Sequence, residues 1–165
     1  MATLNANIAA AIGANYSGSG LAPASARLME AADIGITSGT GDYQADLMYA
    51  ATRTLTTGAS DNLDLSGSLT DPLGNVIAAV EIVAVLIRAA SANTTILTVG
   101  NGANPFVGWF GAAANTEAVQ PGGVAQHVNP KAGWAVVAAT GDILRITNAA
   151  GASATYDIVI LGRSA

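Results

Sequence analysis

The stretch Thr140-Gly141-Asp142-Ile143-Leu144-Arg145-Ile146-Thr147, followed by Asn148-Ala149-Ala150-Gly151 and then Ala154–Leu161, decides the fold class. Thr140-Gly141-Asp142 is a turn, Ile143–Thr147 a strand, Asn148–Gly151 a second turn and Ala154–Leu161 a second strand. Within that last strand Tyr156, Ile158 and Ile160 alternate with Asp157, Val159 and Leu161, the period of two that puts successive side chains on opposite faces of a sheet. The same grammar runs backwards through the chain. Gly133–Ala138, Val124–Val128, Thr116–Val119 and Thr94–Val99 read as strands, separated by Pro121-Gly122-Gly123 and Gly100-Asn101-Gly102. Phe106–Phe110 is a short aromatic segment. Asn62–Leu65 alternates strictly, and a threonine-rich strand surrounds Leu55. Asp71-Pro72-Leu73-Gly74-Asn75 is a strong turn, because proline presets φ and glycine tolerates positive φ. Val76–Arg88 is rich in Val and Ile and reads as one long strand or two joined at a bend. Eight or nine strands with turns between them predict an all-β chain: an antiparallel β-sandwich, jelly-roll-like, over residues 46–165.

Residues 1–45 read differently. Leu4, Ile8 and Ile12 recur every four residues with Ala11 beside them, which fits a helix. Asn15–Gly20 is a breaker. A second helix is expected over Pro23–Asp33, with Leu28, Ala31 and Ala32 as its apolar face. Thr37–Asp42 is a loop. Two short helices do not make a core, so this segment is expected to be an N-terminal arm that docks on a partner.

Composition excludes several function classes. The chain has one histidine, His127, one lysine, Lys131, and no cysteine. Charged residues are 10% and hydrophobic ones 51%, whereas soluble proteins average about a quarter charged. There is no Gly-x-Ser-x-Gly elbow, no Walker A motif and no complete dinucleotide loop. No catalytic residue, cofactor or resident metal is expected, and the chain does not read as an enzyme. Asp61-Asn62-Leu63-Asp64 places leucines where a calcium loop needs oxygens. The six basic residues are scattered singly and the net charge is −5, so the clustered cations of a nucleic-acid binder are missing.

A mean hydropathy of +0.43 calls for a membrane or a buried interface. The longest apolar run, Val76–Ile87, is twelve residues broken by Glu81, and a spanning helix needs about 20. Met1–Ala11 offers no Lys or Arg before its alanine-rich stretch, so no secretion signal is expected. Without cysteine the chain suits assembly in a reducing cytoplasm. The surplus apolar surface is therefore assigned to subunit contacts.

Several segments together resemble a family. Ala45-Asp46-Leu47, Thr52-Arg53-Thr54-Leu55, Asp61–Gly67, Leu69-Thr70-Asp71, Asn104-Pro105-Phe106, Lys131-Ala132-Gly133-Trp134, Thr140–Leu144 and Tyr156–Gly162, in this order, are similar to small structural proteins of tailed bacteriophages and prophages. The resemblance covers nearly the whole chain. It implies a virion component made in the bacterial cytoplasm, and more narrowly a capsid cement or decoration protein. Such proteins are often trimers of a jelly-roll-like domain on the capsid exterior, bridging neighbouring major-capsid-protein subunits. The candidate interface residues are Leu4, Ile8, Ile12, Tyr16 and Leu28 in the arm, and Phe106, Trp109, Phe110 and Trp134 in the β domain. The alternative is a tail, neck or fibre component that binds a host glycan through these aromatics.

Overall fold

The structure, a computed structural model, describes residues 3–17 and 25–165. It is built from β-strands in mostly antiparallel sheets. Among the described residues, its single helical element is one 3-10 turn, Gly108–Phe110.

One sheet is assembled around β12 (Ala154–Arg163), which lies between β4 (Leu47–Leu55) and β6 (Glu81–Ala89). The far edge of β6 pairs with β9 (Val124–Val128) along Ala84–Arg88 and with β10 (Trp134–Ala135) at Glu81–Ile82. A second sheet has the order β5 (Ser60–Asp64), β11 (Ile143–Asn148), β7 (Leu97–Gly100) and β8 (Thr116–Val119). The alternation at Tyr156, Ile158 and Ile160 sends those side chains into the main apolar cluster. They meet Tyr49, Val85 and Ile87 from their own sheet, with Leu63, Leu97, Val99, Leu144 and Ile146 from the other.

Polar groups inside this cluster are paired, as burial requires. Tyr156, fully buried, donates its hydroxyl to Asp61 Oδ2 at 2.8 Å, and Arg53 Nη2 donates to Asp61 Oδ1 at 3.0 Å. Burial, together with the Asp61 carboxylate, pushes the Tyr156 phenol above its ordinary range. Asn148 is also fully buried and ties two turns together through its amide.

Among the described residues, the N-terminal arm is not helical. β1 (Ala6–Ser17) and β2 (Ser25–Ser38) form a long antiparallel ribbon in unbroken register from Ala6↔Ile36 to Ser17↔Ser25. The expected helix at Leu4, Ile8 and Ile12 is therefore corrected: Ile8 and Ile12 lie in strand β1, and Leu4 precedes it. A spacing of four is also a multiple of two, so these residues share one face of a strand as readily as one stripe of a helix. Pairing with β2 decides between the periods, and the β-branched isoleucines favour the result. The second expected helix is likewise strand from Ser25 onward, while its Pro23 lies outside the described residues. The expected breaker begins inside β1, and its residues 18–20 lie outside the described residues.

Other boundaries shift modestly. Val76 makes only an isolated bridge with Thr70 before β6 begins at Glu81. Phe106–Phe110 ends in the 3-10 turn, and Gly133–Ala138 contracts to Trp134–Ala135.

The ribbon is fastened to the body at its base. β2 pairs in parallel with the short β3 (Gln44–Ala45) at Thr37↔Gln44 and Ser38↔Ala45. Tyr43 N donates to the Pro130 carbonyl at 2.7 Å. Arg163, its side chain only 3% exposed, donates from Nε to the Gln44 carbonyl at 3.0 Å and from Nη1 to Glu81 Oε2 at 2.7 Å. A buried guanidinium is tolerable only with its donors satisfied, so this residue clips β3, β6 and the end of β12 together.

Candidate interaction surface

A bulge makes room for the arm. The register passes from Leu161↔Ala84 directly to Gly162↔Ile82, leaving Val83 as the extra residue of β6. A Cβ on Gly162 would stand 2.9 Å from the Glu81 carbonyl oxygen, so the close approach needs glycine. Because of the extra residue, Ile82 and Val85 enter the main cluster while Val83 and Ala84 turn to the other face. There, Val83, Ala84 and Leu161 form a second apolar cluster with Ile8, Ile36 and Ala45, and Leu4, Ala6, Ile34, Met48 and Val128 pack around it.

The register of the ribbon defines which residues share a face with this anchored base. Directly opposite residues of an antiparallel pair lie on one face. Ile8↔Ile34, Ala10↔Ala32, Ile12↔Glu30, Ala14↔Leu28 and Tyr16↔Ala26 form a continuous stripe with a single charge, Glu30. The opposite face carries Asn7, Asn15, Arg27 and Asp33 among small residues and Met29. The apolar stripe is buried only at its base. Ile8 is 9% exposed and Ile36 2%, whereas Ile12 is 74% exposed, Leu28 63% and Tyr16 80%.

The arm candidates thus separate into two groups. Leu4 and Ile8 hold the arm to its own body, and Ile12, Tyr16 and Leu28 project beyond it. An open groove runs between the ribbon at Ala9–Ile12, Glu30 and Ala32 and the sheet at Leu86, Val124 and Gln126.

The outer face of the β4–β12–β6–β9 sheet continues the apolar character. The row Ala50, Val159, Leu86, Gln126 lies next to the row Thr52, Asp157, Arg88, Val124. Val159 and Val124 are exposed, and Arg88 donates from Nε and Nη2 to Asp157 Oδ2. These sheet residues were not singled out from the sequence. Their signal is present in it, since β12 carries apolar residues on both faces.

The aromatic candidates come together at a different place. Phe106 is buried in the main cluster, and Trp109, Phe110 and Trp134 pack half-buried against it. Trp109 stacks on His127 with ring centroids 4.3 Å apart and planes 12° from parallel. Phe110 lies 4.7 Å away, and Trp134 and Phe106 meet Trp109 edge-on at 5.5 and 5.6 Å. Glu117 Oε2 accepts hydrogen bonds from Trp109 Nε1 at 3.2 Å and from His127 Nε2 at 2.7 Å. A Trp ring with four aromatic neighbours is held in place by packing, and edge-on and stacked geometries of this kind are favourable. Gly100, at φ +106°, lets the strand pass this cluster, since a Cβ there would stand 2.6 Å from the Asn115 carbonyl oxygen.

Among the described residues, no three His, Cys, Asp or Glu side chains gather in a group able to hold a metal ion, and no helix is long and apolar enough to cross a membrane. No family model, no curated protein and no solved structure matches this chain.

Proposed function

We propose that this chain is a non-enzymatic structural protein of a tailed-phage virion, acting as a capsid cement or decoration protein. In this reading the strands from residue 46 onward close as a jelly-roll-like sandwich. The protein forms a homotrimer on the capsid exterior and bridges neighbouring subunits of the major capsid protein.

One observation carries the interaction role: an apolar face anchored at one end by its own body and left open along Ile12, Leu28 and Tyr16. An isolated two-stranded ribbon is only marginally stable in water. Contiguous exposed apolar area of this kind marks interaction sites. Sparse charge supports the same reading, because interface centres are depleted of charged residues.

Co-sedimentation with heads assembled from the cognate major capsid protein tests the proposal. A variant in which residues 11–31 are replaced by Asn-Gly keeps the anchoring residues Ile8 and Ile34 and closes the Ala10↔Ala32 pair with a two-residue turn. The full chain is expected to load the heads and the shortened chain to lose occupancy. Absence of binding by the full chain, or full occupancy by the shortened one, refutes the reading.

The alternative, a tail or fibre module for host glycans, draws on the placement of Trp109 beside Glu117. The four rings around Trp109 weigh against it, because a sugar platform needs a free ring face. If Trp109→Ala and Trp134→Ala leave host-cell binding unchanged, this alternative fails.

A further inference from the structure

We propose that the exposed half of the arm docks on a second copy of this chain, laying its Ile12, Leu28 and Tyr16 stripe across the outer row Ala50, Val159 and Leu86 of that copy's sheet. The inference rests on the self-associating part of the reading above and names the surface through which copies meet.

The first argument is continuity. The base of the same stripe already packs on the same sheet face within one chain, where Ile8, Ile34 and Ile36 lie against Ala84, Leu161 and Met48. The next row of that sheet, with Leu86 and Val159, continues the face that the base covers. Each copy therefore offers both the open stripe and, in the grooves between its own ribbon and sheet, the row that would receive a second stripe.

Charge supplies the second argument. The stripe holds one charge, Glu30, two residues along β2 from Leu28. The sheet holds Arg88 two residues along β6 from Leu86. With β2 running in the same direction as the β6 it covers, seating Leu28 over Leu86 brings Glu30 to Arg88. Arg88 spends Nε and Nη2 on Asp157, which leaves its Nη1 side for a second carboxylate.

The third argument is that the β1 edge of the arm carries no protection against association. β1 has no charged residue and no proline from Ala6 to Ser17, and one of its edges has no strand partner among the described residues. Strand edges left to solvent are ordinarily guarded by just those residue types.

The absence of cysteine gives a clean experiment. Full-length copies carrying Leu28→Cys are mixed with differently tagged copies carrying Val159→Cys and oxidised mildly with diamide. A mixed disulfide between the two is expected. It should be absent when Leu73→Cys, exposed on the turn that closes between Asp71 and Asn75 and outside the proposed contact, replaces Val159→Cys.

In parallel, sedimentation equilibrium follows Glu30→Arg and Arg88→Glu. Each is expected to weaken self-association by about tenfold or more alone, since like charges then meet. Combining the two in one chain is expected to restore it, because every arm–sheet contact then pairs opposite charges. A monomeric full chain at about 100 µM, or an oligomer that neither cross-links nor responds to the charge pair, overturns the proposal. Either result leaves the head-binding experiment to decide the virion reading separately. Loss of head binding with cross-linking intact would refute that reading alone.

Discussion

Replacing Asn148 by alanine tests whether the body is held by polar staples as well as by its apolar cluster. Asn148 is fully buried at the end of β11. Its Nδ2 donates to the carbonyls of Thr56 at 3.0 Å, Ala152 at 2.8 Å and Leu55 at 3.3 Å, and its Oδ1 accepts from Thr95 Oγ1 at 2.6 Å. The residue joins the β4–β5 turn, the β11–β12 turn and the segment before β7. Two amide hydrogens serve three carbonyls, so about three bonds' worth of interaction is lost. Each is worth roughly 0.5–1.5 kcal/mol net, and stranded buried acceptors add to the loss. The expected destabilisation is about 3 kcal/mol. At about 2–4 °C per kcal/mol for a chain of this size, Tm falls by roughly 6–12 °C. Urea unfolding at fixed protein concentration reads the effect as a lower midpoint with an unchanged slope. Asn148→Asp serves as the control. It keeps an acceptor but places a carboxylate against three carbonyls, so it is expected to be worse than alanine. A loss under about 1 kcal/mol for alanine, or an aspartate variant as stable as the alanine one, refutes the staple.

Three further outcomes are expected. In urea unfolding at a dilution that leaves the chain monomeric, Ile36→Ala, at the buried base of the arm, should cost about 2–4 kcal/mol, while Ile12→Ala should stay within about 0.5 kcal/mol; equal effects would mean that the exposed half is anchored to its own body. Asp142 accepts hydrogen bonds from Ser66 Oγ at 2.7 Å and Ala139 N at 2.6 Å, and the Ser66 bond leads in holding its carboxyl below the usual range. A depressed folded pKa stabilises above the unfolded value of about 3.9 and loses that stabilisation as pH falls through the folded value. The penalty of Asp142→Asn, measured by urea midpoints, should therefore shrink between pH 7 and pH 2; a constant penalty would contradict the assignment. Trp109→Phe should remove the fluorescence of the indole stacked on His127 and, with the Glu117 bond lost, lower Tm by a few degrees; an unchanged Tm would mean that the cluster contributes no rigidity.

Much of the body was legible because its strands are short, alternating and bounded by residues with specific turn chemistry. Val124–Val128 coincides with a strand end to end, and Thr116–Val119 does the same. Ile143–Thr147 and Ala154–Leu161 gain only one and two residues at their C-terminal ends. The arm was misread because its apolar spacing of four satisfies two periods at once. Only the partner strand, aligned residue for residue, breaks that tie. The candidate residues were separated by the structure along the arm. Leu4 and Ile8 serve their own body, and Ile12, Tyr16 and Leu28 stand free. Nothing in the local sequence distinguishes Ile8 from Ile12, since the difference is whether a second sheet reaches them.

The amino-acid sequence by itself determined the all-β class of this protein, because turn chemistry and period-two alternation dictate strands. The tertiary structure alone decided where apolar surface is spent. The Val83 bulge turns part of β6 outward, the arm base covers that row, and the stripe beyond it is left open. Side-chain period is a local property of the backbone, so a sequence displays it. Which of two equivalent apolar faces is covered depends on contacts between residues far apart in the chain, and that is settled only when the sheets pack.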